Sequence, residues 1–167
     1  MITPFRYARH PEPGRWAARL ATLAAVALAC RAEPPATPSS EPLADFPYAA
    51  ASLDCAPWDG PAVGIVLTRT ADTAQVPAAP YVRVMLYNSP NRLAGQTIGW
   101  PGDAEVGSAT WCVVGDDCVV ADSGLVQIET VIGDSVLPGR LRLAFPGGAR
   151  LDGSFRATWR PRVALCG

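Results

Sequence analysis

The sequence predicts an all-β fold: an antiparallel β-sandwich, of jelly-roll or immunoglobulin-like type, filling about the last 120 residues. Three observations carry that expectation. Apolar and polar residues alternate with a period of two in many short segments, and no window longer than about ten residues keeps a 3.6-residue period. Clusters of Gly, Pro, Asn and Asp interrupt these segments at intervals of roughly 8–12 residues, the spacing of strands in sandwiches and barrels. Cysteines stand near both ends of the region, at Cys55 and Cys166, which suits a sandwich whose first and last strands lie side by side.

The elements follow in order. "GIVLTR" at 64–69 and "YVRVMLY" at 81–87 are rich in β-branched and aromatic residues and read as strands. Between them "TADTAQVPAAP" reads as a loop held open by Pro77 and Pro80, and "NSPNR" at 88–92 reads as a turn. "QTIGW" at 96–100 is a strand stopped by "PGD". "SATWCVV" and "DCVVAD" form a hairpin about Gly115, and "GLVQIETVI" at 124–132 is a further strand that leads into a turn, "GDSVLPG". The last hairpin has the clearest pattern. Leu141, Leu143 and Phe145 alternate with Arg140, Arg142 and Ala144. After the "PGG" turn, Leu151, Gly153, Phe155, Ala157 and Trp159 alternate with Asp152, Ser154, Arg156, Thr158 and Arg160. One face is apolar and the other charged, as in an antiparallel sheet with one wet side.

Ahead of this region lies a leader. Arg6, Arg9, Arg15 and Arg19 precede an apolar run from Leu20 to Ala29, too short to cross a bilayer, which needs roughly 20 apolar residues. A basic start, a short apolar core and a small-residue boundary have the layout of a secretory signal. The boundary itself, Val26-Ala27-Leu28-Ala29-Cys30, resembles the lipobox of bacterial lipoproteins. That resemblance covers the first 30 residues. It implies that Cys30 carries a diacylglycerol and becomes the first residue of the mature chain, and that the protein is held by acyl chains at the cell envelope. By the same resemblance Arg31, standing where an acid often favours the inner membrane, leans toward the outer membrane. Each buried methylene of such an anchor contributes about 0.8 kcal/mol, so two or three chains hold firmly. Residues 30–47 contain Pro34, Pro35, Pro38, Pro42 and Pro47 and little aliphatic bulk, and read as a semi-extended tether. The expected organisation is therefore a signal at 1–29, a lipidated tether at 30–47 and one β-domain at 48–167.

Composition excludes several function classes. From Cys30 onward ten arginines face fourteen acids, a net charge close to −4, and the whole chain has no lysine. That balance lacks the basic footprint of a nucleic-acid binder. The single histidine, His10, lies in the leader, so the mature chain has no histidine for Ser-His-Asp or Cys-His catalysis, general-base chemistry or metal ligation. No phosphate loop or nucleophile motif occurs, and no cofactor is called for. The expected protein is not an enzyme.

Four cysteines remain after Cys30, and an even number in an exported chain implies disulfides. Cys112 and Cys118 flank "VVGDD", where a local bridge would clip a hairpin. That leaves Cys55 with Cys166, a bridge closing a loop of about 110 residues and contributing roughly 4–5 kcal/mol in the chain-entropy model.

Three sets of residues are candidates for binding. Asp103, Glu105, Asp116, Asp117 and Asp122 offer hard oxygen ligands, without the D-x-D-x-D-G spacing of a calcium loop. Trp58 in "CAPWDGP" and Trp100 in "IGWPGD" sit beside turn residues, near Tyr48, Tyr81 and Tyr87. They are expected to cap the core, with sugar stacking on exposed rings as the alternative. Arg140, Arg142, Arg156, Arg160 and Arg162 form a row on the outer face of the last hairpin, a solvated face or a stripe for an acidic partner. The sequence thus favours a lipid-anchored envelope protein with a structural or protein-interaction role. The alternative is a carbohydrate-binding module facing peptidoglycan or surface polysaccharide.

Overall fold

The computed structural model describes residues 43–71, 77–101, 106–130, 135–160 and 163–166. The signal, Cys30 and most of the expected tether lie outside these residues, as do Asp103, Glu105 and Arg162.

The described chain is built from nine strands: β1 Tyr48–Cys55, β2 Pro61–Thr68, β3 Tyr81–Leu86, β4 Thr97–Pro101, β5 Gly107–Val114, β6 Asp117–Val120, β7 Ser123–Ile128, β8 Val136–Ala144 and β9 Arg150–Trp159. They form one open sheet in the order β4-β7-β8-β9-β1-β2-β3-β5-β6. All neighbours are antiparallel except β1 and β9, which run parallel through Ala50 opposite Thr158 and Ala51 opposite Trp159. First and last strands therefore meet, as the terminal cysteines predict.

The single sheet folds over into a sandwich. Only Ala121 and Asp122 separate β6, at one edge, from β7, near the other, so the two ends of the sheet must face each other. The backbone of this link bonds to both sides: Ala121 N–H donates to Ala109 O at 2.9 Å and Asp122 N–H to Ala144 O at 2.8 Å. The halves enclose one core. At its centre the buried Trp111 of β5 meets Phe46 and Phe145 edge-on, with centroids 5.9 and 5.3 Å away. Such T-shaped pairs contribute about 0.5–1.5 kcal/mol each beyond their burial.

Both disulfides form as the spacing predicts, Cys55–Cys166 and Cys112–Cys118. The second joins partners directly across the β5–β6 hairpin, whose two-residue turn uses Gly115 at φ 51°.

Three expectations need correction. Leu43 and Phe46, inside the stretch read as tether, are buried in the core, and Leu43 lies against Gly153 of β9. Two isolated apolar residues among prolines left too little pattern to mark this. The strand β1, "YAAASLDC", was not expected, because its alanines carry weak β propensity. Finally, Val136–Gly139, read as part of a turn, is the start of β8. Gly139 is not punctuation here. It makes room for Phe155 directly across the strands, whose Cζ would lie 2.7 Å from any Cβ added at 139.

Candidate functional site

The outer face of β7, β8 and β9 follows from strand parity. In β7 Gly124, Val126 and Ile128 turn inward, which sends Leu125 and Gln127 out; in β8 Leu141 and Leu143 turn inward, which sends Arg140 and Arg142 out. In β9 the exposed set is Arg150, Asp152, Ser154, Arg156 and Thr158. The register assembles them. Arg140 lies between Gln127 on β7 and Ser154 on β9, and Arg142 between Leu125 and Asp152. Arg156 stands opposite Pro138, diagonal to Arg140.

These guanidinium groups are not equivalent. Arg142 Nε donates to Asp152 Oδ2 at 2.9 Å. The pair is exposed, so it contributes less than about 1 kcal/mol, but it fixes the position of both charges. Arg140 and Arg156 have no ion pair among the described residues. Opposite Arg142 and diagonal to Arg140, Leu125 is 44% exposed, a large apolar side chain on an otherwise polar face. Leu125, Gln127, Arg140, Leu141, Arg142 and Asp152 line a shallow depression of about 190 Å³. The expected arginine row thus holds for Arg140, Arg142 and Arg156. Arg160 falls outside it: it follows β9 at the junction with β1, half-buried, with its N–H donating to Ala51 O at 2.7 Å. Sequence reading missed Leu125, Gln127 and Arg150, all three given by parity with the buried residues beside them.

The two candidate tryptophans separate completely. Trp100 is 3% exposed, its ring held over Gly107 and Gly124 between the two halves of the sheet, so it has no face to offer a sugar. Its Nε1, like that of Trp111, is buried with no acceptor among the described residues. Trp58 is 54% exposed on the β1–β2 turn. Its ring meets Tyr87 with centroids 5.0 Å apart and planes 71° apart. Tyr48 is also exposed, whereas Tyr81 is half-buried.

The carboxylates do not converge. Asp116 lies in the β5–β6 turn, Asp117 begins β6 and Asp122 follows that strand's far end. Among the described residues no three His, Cys, Asp or Glu side chains are placed to hold one metal ion, and no helix is long and apolar enough to cross a membrane.

Comparison of the chain with family models, curated proteins and solved structures returns no match.

Proposed function

We propose that this chain is a lipid-anchored protein of the bacterial envelope with a non-catalytic, protein-interaction role, and that the outer face of β7–β8–β9 meets an acidic segment of its partner. One observation carries the choice of face: Arg140 and Arg156 are exposed without an ion pair among the described residues, and the exposed Leu125 lies diagonal to Arg140 on the same face. Arginine forks match carboxylates in a bidentate manner, and an apolar neighbour supplies area that a merely solvated face does not need. The Arg142–Asp152 pair would align the cationic edge and reject basic partners. The anchor rests on the lipobox-like Val26–Cys30 and the basic leader before it.

Crosslinking mass spectrometry on intact envelopes tests this, with the full chain at native level. The chain lacks lysine, so the linker must be photoactivated or carboxylate-reactive. The expected result is a few discrete protein partners crosslinked to the "RLRLAF" and "FRATWR" strands, lost from the membrane fraction in Cys30→Ser. Crosslinks that spread over no particular protein would defeat the reading.

A further inference from the structure

The turn that carries Trp58 is built more rigidly than a connection needs. Asp59 N–H donates to Ala56 O at 3.0 Å, and Ala56 N–H to Gly60 O at 2.8 Å, closing the loop between Cys55 and Pro61. Pro57 stiffens its first corner. Gly60 allows the indole to lie back over the turn, since a Cβ there would come within 2.9 Å of Trp58 Nε1. Tyr87 braces the indole from the end of β3, and is itself tied by a 2.7 Å hydrogen bond between its hydroxyl and Ser108 Oγ and by its N–H to Val106 O. The two rings make a corner, and Trp58 keeps more than half of its surface in solvent.

Asp59 is the second observation. Its φ is 62°, the left-handed region, where glycine fits without strain and a side chain costs stability. The carboxylate of the aspartate at this position is exposed and has no hydrogen bond or ion pair among the described residues. Aspartate tolerates this conformation better than most side chains, and its carboxylate stands one residue from the exposed ring.

An open aromatic face beside a carboxylate with no partner among the described residues suits a ligand with one C–H face and a rim of hydroxyls. The geometry points to a saccharide site at Trp58, Asp59 and Tyr87, taking one pyranose ring of an uncharged glycan, separate from the arginine face. The ring stacks on the sugar's C–H face, and the Asp59 carboxylate accepts from its hydroxyls. The turn Ala56–Gly60 and the flanking Tyr87–Ser89 and Val106–Ser108 contain no cation, which favours an uncharged ligand over a phosphate or an anionic headgroup. Preorganisation of the indole lowers the entropic cost of binding, which a single-ring platform needs.

The test uses the full chain in detergent, titrated calorimetrically with β-1,4-linked N-acetylglucosamine oligomers and neutral hexose oligomers. At least one of these probes should bind saturably. Trp58→Ala should weaken that binding about ten-fold or more without lowering the melting temperature, and Trp58→Phe should restore most of it. Asp59→Gly should melt at the same or a higher temperature yet bind several-fold more weakly. The site is refuted if no probe binds, if binding survives Trp58→Ala, or if Trp58 proves necessary only for retention on phospholipid vesicles or on a protein.

Discussion

Trp58 and Trp100 are the same residue in similar company, one in "PWDG" and the other in "GWPGD", and they end on opposite sides of the fold. Trp100 sits in β4, turned inward, and its ring fits only because positions 107 and 124 carry no side chain. Trp58 sits on a turn whose glycine lets the ring lie back over the backbone without covering it. In one place glycine opens a slot across the sandwich, and in the other it makes a shelf. Burial of a tryptophan is thus decided by the positions that receive it, which lie far away in the chain, more than by its neighbours in sequence.

Substitutions sharpen that contrast. Trp100→Ala should be the most damaging, at about 3–5 kcal/mol in urea denaturation, since it empties a slot between the two halves that rigid strands cannot close. A loss under about 1 kcal/mol would mean that the halves are not held together there. Gly124→Ala should cost about 1–3 kcal/mol or more, because its methyl would lie inside the space of the Trp100 ring, and the melting temperature should report this directly. Combining Gly124→Ala with Trp100→Ala should relieve much of that second cost, as expected for residues in contact. Trp58→Ala should leave stability within about 0.5 kcal/mol, the range of surface changes. A large loss there would make Trp58 a core cap after all.

Much of the fold was legible because its signal is local. The last hairpin shows its inward set, Leu141, Leu143, Leu151, Phe155 and Ala157, in plain alternation, and the cysteine spacing gave both disulfides. What escaped depends on distant partners. β1 lies between β9 and β2 with Ala51 as its one fully buried residue, and nothing in "YAAAS" announces a strand there. Pro138 and Gly139 look like a turn until Phe155 is placed opposite. The site was legible in the same uneven way. Arg140, Arg142 and Arg156 follow from parity, as Leu125 would have, whereas the separation of Trp58 from Trp100 requires knowing where Gly107 and Gly124 fall.

The proposed role rests most directly on Arg140 and Arg156, which have no ion pair among the described residues, with Leu125 on the same face. The measurement that tests it is photocrosslinking from position 127, directly opposite Arg140, in intact envelopes carrying either the native chain or the Arg140→Glu, Arg156→Glu double variant. Both substitutions lie on an exposed face, so the fold and the anchor should be retained, as melting temperature and membrane fractionation would verify. The account predicts one or a few discrete adducts with the native chain and their disappearance in the variant. The same adducts at the same yield after both charges are reversed would contradict it.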